Sequence, residues 1–240
     1  RLLDEDGPTG GELKLSKSTP TSLAFIMCVG SLNTTKSAHP YCSRMCCASA
    51  LKNILRIKER YPDTEIYAIY KDIRTYGRRD EELYEGTTER LVKFIRFEAP
   101  PKVNLHSDSV DIELYDATLQ EHLLIPVDAV VLAVGMSPSA DLDKVRAVVK
   151  TGCSPEGFLR EAHLKLRPVE APADGIFLAG SVTSPKNIVE SVMSGGATAA
   201  KSAALFGKKE VKIEPIIAEV NEEICSGCAI CIAMCPYGAI

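Results

Sequence analysis

The runs Ser22–Val29 and Glu65–Tyr70 read as strands, the first buried and leading into a polar loop over residues 31–40. Between them Cys47, Ala50, Leu51, Ile54 and Leu55 keep the i, i+3, i+4 spacing. That spacing predicts a helix over Tyr41–Arg60, with Pro62 just past its end. Strand, helix, strand is a βαβ unit, which implies a parallel pair and a right-handed crossover. Asp80–Arg90 predicts a second helix. From Val92 to Val127 the pattern is one of short strands centred on Phe94, Val103, Val110–Leu114 and Leu123–Ile125, resembling an antiparallel meander. Ala129–Val134 is a continuous apolar strand suited to the middle of a parallel sheet covered on both faces. Gly175–Ala179 predicts another strand. A helix follows over Pro185–Phe206, with Ser184 as N-cap and Pro185 in the first helical position. The Gly-, Pro-, Ser- and Thr-rich residues 1–20 read as a linker, and residues 208–220 lead to a last cysteine-rich segment.

Composition adds little until the cysteines are counted. The chain of 240 residues is 45% hydrophobic and 25% charged, enough for an ordinary core. Its formal net charge of −4, with both signs interleaved, gives no reason to expect nucleic acid or anionic lipid as a partner. No apolar run approaches the ~20 residues of a membrane helix. The start, Arg1-Leu2-Leu3-Asp4-Glu5-Asp6, lacks the pattern of a secretory signal. There are nine cysteines, an odd number, and all but Cys153 fall in two tight groups. Clustered thiols in an α/β chain point to metal or redox chemistry in a reducing, anaerobic cytoplasm rather than to a disulfide scaffold.

Cys225-x2-Cys228-x2-Cys231-x3-Cys235-Pro236 is the bacterial ferredoxin spacing. Three thiolates on a tight loop wrap one face of a [4Fe–4S] cubane, and in two-cluster ferredoxins the fourth turns to the other cluster. A second such motif would have to follow, so the expectation is a module that continues beyond the given sequence, unless Cys235 or another chain supplies the fourth ligand. A structural zinc knot is the alternative, but zinc sites prefer paired C-x2-C units separated by a longer loop.

The other group, Cys28-x13-Cys42-x3-Cys46-Cys47, has a less familiar spacing. Cys28 ends a strand, and Cys42 and Cys46 are expected on one face of the following helix. Four thiols converging there suit a cubane, and the first helical turn offers positive partial charge and free N–H groups. Arg44 is a candidate for charge compensation. Buried structural thiols are the competing reading, because cysteine is a frequent core residue.

The segments Cys28-Val-Gly-Ser31, Pro40-Tyr-Cys-Ser-Arg-Met-Cys-Cys47, Tyr70-Lys-Asp-Ile-Arg-Thr-Tyr-Gly77 and Glu82-Leu-Tyr-Glu85 resemble the A-type iron–sulfur flavoprotein subunits of the heterodisulfide reductase family and related bifurcating flavoproteins. The resemblance runs from about Gly7 to the end. It implies that Cys28, Cys42, Cys46 and Cys47 bind an unusual [4Fe–4S] cluster inside a thioredoxin-reductase-like flavoprotein domain. Leu32-Asn33 stand where that family usually has Arg-Asp, a lost charged pair beside the cluster.

Asp128–Pro138 is similar to the strand–Gly–Pro segment of flavoproteins with two dinucleotide-binding domains, with Gly135 making a sharp turn. Ala173–Gly180 resembles their second FAD fingerprint, with Ser181 in place of the usual Asp. Gly195, Gly196, Ala197, Ala200 and Ala203 allow close approach to a cofactor or, equally, tight helix–sheet packing. The resemblance implies that the helix end at Lys186, Asn187 and Ile188 faces the flavin ring, where a cation would stabilise the reduced anion; a solvated surface Lys is the bland alternative. No Gly-x-Gly-x-x-Gly is present, so the half of the FAD site that holds ADP is expected upstream of Arg1.

The expected fold class is therefore α/β: a partial two-dinucleotide-binding-domain, thioredoxin-reductase-like flavoprotein followed by a ferredoxin-like segment. The expected divisions are a linker over 1–20, a degenerate pyridine-nucleotide-type domain carrying a cluster over 21–125, the C-terminal part of an FAD domain over 126–210, and the start of a ferredoxin module over 211–240. The resemblance implies FAD, at least two [4Fe–4S] clusters, and electron transfer, with bifurcation, inside a complex. Its partners would be disulfide-reducing subunits and electron-input subunits of the hydrogenase or formate dehydrogenase type. The alternatives are a homologous subunit of a quinone-interacting membrane-bound oxidoreductase, a non-enzymatic cluster carrier, or a zinc-binding interaction fragment. No acid–base residue is assigned, and His39, His106, His122, His163 and Cys153 carry no role.

Overall fold

The computed structural model describes residues 2–15, 18–35, 38–208, 210 and 218–236. It divides into two compact units, Arg1–Met136 and Ser137–Ile240.

The first unit is built on β1 (Ser22–Val29), whose core residues are buried on both sides. Alternate side chains explain why. Leu23, Phe25 and Met27 pack against Ala50, Leu51, Ile54 and Ile57 of α1 (Cys46–Arg60). Ala24 and Ile26 pack against Ile112, Leu114, Ile125 and Val127 on the other face. Helix α1 crosses over to β2 (Glu65–Tyr70), and α2 (Asp80–Glu89) leads to β3 (Lys93–Arg96). The meander, β4 (Lys102–Leu105), β5 (Val110–Asp116) and β6 (Glu121–Val127), is a separate antiparallel sheet, order β4-β5-β6. The chain then returns as β7 (Ala129–Val134), parallel to β1. The parallel order is β3-β2-β1-β7, the first half of a dinucleotide-binding sheet, and the strand order reverses direction between β1 and β7.

Several expectations are corrected here. The strand around Phe94 joins the parallel sheet beside β2, not the meander. Strand β7 lies at the sheet edge, with Leu132 54% and Val134 63% exposed, so its continuous apolar run does not mark a central strand. Because β7 hydrogen-bonds to β1, the first unit extends to Met136 and not to residue 125. Residues 2–15 are no free linker. Leu3 and Leu13 join the core under α1, and the Arg60 guanidinium donates to the carbonyls of Leu3 and Gly11 at 2.9 Å each. The apolar side chains spaced through a Gly-rich stretch anchor it.

In the second unit α3 (Leu142–Val149) precedes a segment of turns and isolated bridges. Leu142, Leu159, Ala171 and Leu178 form its small core. Gly175–Ala179 is not a strand; Phe177 makes only one antiparallel bridge, to Glu170. A single 3-10 turn at Gly180–Val182 leads to α4 (Ile188–Phe206), and α5 (Ile230–Met234) lies in the cysteine-rich end. Helix α4 starts three residues after the expected position. Asn187 and Glu190 form a reciprocal capping box, satisfying two orphan N–H groups that Ser184 and Pro185 would leave open. No helix among the described residues is long and apolar enough to cross a membrane.

Replacing Arg60 by Ala removes both bonds to the N-terminal segment. The expected loss is about 1–2 kcal/mol in denaturant unfolding, with residues 2–15 becoming the first site of limited proteolysis. Unchanged protease resistance of that segment would contradict its anchoring role.

Candidate functional site

The change of strand order between β1 and β7 makes a crevice at the strands' C-terminal ends, the usual ligand position in such sheets. Here it holds cysteines. The β1–β7 register slips between Ile26 and Val29, and Cys28 within the slip has φ 58°. This irregularity in the strand re-aims the side chain. Leu32 (φ 54°) and Arg44 (φ 63°) are also left-handed non-glycine residues. Three such residues around one thiol group store strain of the kind found at functional sites.

Helix α1 begins only at Cys46, so Cys42 stands in the preceding loop and not on a shared helical face as expected. Arg44 in its left-handed conformation breaks the helical path. Its backbone N–H donates to Cys42 Sγ at 3.3 Å. Cys46 and Cys47 are the first two residues of α1, a turn that contains no acidic side chain. The Cys28 and Cys47 thiols both point to the Asp72 carbonyl, at 3.5 and 3.8 Å.

The four thiols feel one another. The hydrogen bond from Cys47 pulls the Cys46 thiol below its usual range, and the same bond, with burial, pushes Cys47 far up. Burial also raises Cys28, and the Cys47 and Cys42 charges add to that rise. Three buried thiols and a partly buried fourth so placed cannot all ionise without added positive charge. The protein supplies part of it through the free N–H groups of the first α1 turn and through Arg74. Arg74 is raised first by its bond to Asp72, at 2.8 Å, and also by Cys42 and Cys47. Arg44, the candidate compensator, lies 4.9 Å over the Tyr76 ring. Among the described residues no three Cys, His, Asp or Glu side chains are gathered tightly enough to hold a single metal ion. The soft donors, their shared neighbourhood and the N–H donor to Cys42 fit a cluster that brings several irons of its own.

The crevice is closed by residues whose packing role there the sequence motifs do not reveal. Ser31 and Ser43 are buried, with their hydroxyl oxygens 3.1 Å apart. Ser43 Oγ accepts the Met136 N–H at 2.7 Å, and Tyr41 donates its hydroxyl to the Met136 carbonyl at 3.1 Å. Gly135 is needed here for space, not for a left-handed turn. A Cβ at that position would overlap Ser31 Oγ and lie 2.7 Å from Ser43 Oγ. Two cavities reach the cysteines. One of about 350 Å³ between α1 and β7 touches Cys46, and one of about 390 Å³ touches Cys28, Ser31 and Phe97.

In the second unit Gly180 has φ 69° and donates its N–H to Ser194 Oγ at 3.0 Å. Ser181 follows it in the 3-10 turn. Lys186 stands before α4, not inside it, and its ammonium donates to the hydroxyls of Thr183 and Ser184. The Asn187 side-chain oxygen is occupied by the Glu190 N–H, at 2.8 Å, while Ile188 is 81% exposed. Gly195 and Gly196 face open space, so their smallness serves no packing within the described unit. Cys153 pairs by backbone with Leu159 beside the small core. In the terminal segment Cys225, Cys228 and Cys231 are exposed, and Gly227 (φ 70°) and Ala229 (φ 58°) bend the loop that carries them. The Ile230 backbone N–H pulls the Cys228 thiol below its usual range. Residues 237–240 lie outside the described structure.

Gly135→Ala should destabilise the first unit by about 1–3 kcal/mol, since the two serines are buried and too short to swing aside. Chemical denaturation measures this, and a neutral result would show that the crevice is looser than described.

The 4Fe–4S binding domain family matches residues 218–240. A solved thioredoxin reductase of T. acidophilum shares the fold, with TM-score 0.53 and 17% identity over 77% of this chain and 52% of that one. An A-type iron–sulfur subunit of the CoB–CoM heterodisulfide reductase of Methanopyrus kandleri is 43% identical over the whole of this chain. The A-type subunit of the H2:CoB–CoM heterodisulfide, ferredoxin reductase of Methanothermobacter marburgensis is 40% identical, also over the whole chain. The chain spans 37% of the length of each of these two relatives. Over the segment it covers, a thioredoxin-reductase-like fold followed by an iron–sulfur segment, the chain belongs to the family of A-type heterodisulfide reductase subunits.

Proposed function

We propose that this chain is part of a flavin- and iron–sulfur-dependent electron-transfer subunit. Cys28, Cys42, Cys46 and Cys47 hold one [4Fe–4S] cluster at the β1–β7 crevice. Cys225, Cys228 and Cys231 hold one face of a second, with Cys235 directed to a further cluster. The observation that supports this reading is the electrostatic influence of Cys28, Cys42, Cys46 and Cys47 on one another, between the end of β1 and the start of α1, where such a sheet otherwise takes a dinucleotide. A pyridine nucleotide site has thereby become a cluster site.

FAD is the partner cofactor in this reading, held in the second unit by Gly180, Ser181 and the start of α4 at Lys186, Asn187 and Ile188. Support comes from the left-handed Gly180 before a helix, the ammonium of Lys186 fixed by two hydroxyls, and an uncovered apolar stripe of Ile188, Val189, Val192 and Met193. Gly135, the other flavin candidate, sits in the first unit against Ser31 and Ser43. When bound, flavin supplies the change from paired to single electrons. The protein's own residues place the cofactors and adjust their potentials through charge, hydrogen bonds and burial. Reduction of a heterodisulfide would fall to a different polypeptide of the complex, with electrons arriving from a hydrogenase- or formate dehydrogenase-type partner and dividing by bifurcation. The relatives' names, which couple heterodisulfide to H2 and ferredoxin, support that assembly.

The test is iron, acid-labile sulfide and flavin content of the oxygen-free native complex. Cys46→Ala should remove about four irons per chain and one cluster signal, sparing the flavin and the other signals; Cys228→Ala should remove a different signal. Iron content unchanged in the Cys46 variant, or zinc without sulfide, would refute the assignment.

A further inference from the structure

We propose that the buried Ser31–Ser43 hydroxyl pair is a positioning device for the cluster site at Cys28, Cys42, Cys46 and Cys47, and that its unshared O–H donates a hydrogen bond towards cluster sulfur. This rests on the reading of those four cysteines as ligands.

The loop after Cys28 and the loop that carries Cys42 are zipped together. Leu32 N–H donates to Tyr41 O, Asn33 N–H to His39 O, and His39 N–H to Gly30 O, at 3.2, 3.1 and 2.9 Å. The serine pair continues that zip toward the cysteines, since Ser31 lies three residues after Cys28 and Ser43 directly follows Cys42. Both loops are then buckled to the end of β7. Gly135 N–H donates to Val29 O at 3.1 Å, Met136 N–H to Ser43 Oγ, and Tyr41 hydroxyl to Met136 O. The missing Cβ of Gly135 is what lets the two hydroxyls sit against the strand. The spacing of Cys28 from Cys42 is thus set by a strand far along the chain.

Counting protons sharpens the role. Two hydroxyls carry two O–H protons, and their mutual bond uses one. Ser43 Oγ also accepts the Met136 N–H, a contact that consumes no hydroxyl proton. One O–H proton remains in a buried place, where an unmade bond is costly. Cys42 directly precedes Ser43 and Cys28 lies three residues before Ser31, and a bond to ligand thiolate or to sulfide satisfies it. Hydrogen bonds to cluster sulfurs raise the reduction potential, so this pair acts to raise the potential of the cluster.

The experiment uses the native complex prepared without oxygen, carrying Ser31→Ala, Ser43→Ala, both together, or Ser31→Thr. Redox titration followed by electron paramagnetic resonance reads the midpoint potential of the cluster that Cys46→Ala abolishes, alongside iron content. Each single Ala variant keeps one O–H and the double variant none, so the double variant should show the largest shift to more negative potential. Ser31→Thr should behave as wild type, its methyl entering the cavity of about 390 Å³ that Ser31 lines. A full complement of iron with an unshifted potential in the double variant overturns the serine assignment alone. If the Ala variants lose this cluster's iron, retention in Ser31→Thr supports the assignment and loss there overturns it. A wild-type complex from which Cys46→Ala removes no iron overturns the cluster reading, and this inference with it.

Discussion

Parallel pairing of β1 with β7 brings Val29 beside Val134, residues far apart in sequence, and the cysteine site depends on that closure. Without it the Cys28 and Cys42 loops would be held by each other and by the end of β2, through Lys71 and Asp72, but not by β7. With it, the carbonyl of Val29, the hydroxyl of Ser43 and the phenol of Tyr41 all engage Gly135 and Met136. The start of the pair is fastened as well: the Asp128 carboxylate accepts from the N–H groups of Thr21 and Ser22 and from the Thr21 hydroxyl. A pair tied at both ends tolerates the register slip at Cys28, which would otherwise unzip an edge strand.

Charge explains why so many elements converge on this point. Four soft, ionisable sulfurs in a half-buried crevice repel one another as thiolates, and burial penalises Cys28, Cys46 and Cys47. The first turn of α1 contributes N–H groups and no carboxylate, while Asp72 holds Arg74 where Cys42 and Cys47 feel its charge. Lys71 spends its ammonium on the Leu32 carbonyl, at 2.8 Å, tying β2's end to the loop after Cys28. The cations thus serve both as loop anchors and as compensation.

The corrections share a cause. Apolar runs report burial or β-propensity but not which neighbours a strand will find. Strand β7 therefore carries a central strand's pattern at a sheet edge, and Gly175–Ala179 carries a strand's pattern around a lone bridge. Caps are local contests: Asn187 with Glu190 satisfies two N–H groups, and Ser184 before Pro185 does not. Arg44 takes a left-handed conformation that no propensity for arginine would indicate, and this breaks the helical path between Cys42 and α1. The N-terminal stretch has the composition of a linker, yet Leu3 and Leu13 find core space and Arg60 binds its carbonyls.

The amino-acid sequence by itself determined the βαβ unit, the two cysteine groups, the ferredoxin spacing and the family, because periodicity and thiol spacing are local patterns along the chain. Tertiary structure alone decided that Cys28 sits in a strand irregularity, that Arg74 lies where Cys42 and Cys47 feel its charge, and that Gly135 is small so that Ser31 and Ser43 can meet beneath it. Each of these depends on contacts between segments separated by tens of residues, whose energies are set by packing and charge in three dimensions and leave no periodic mark on the sequence.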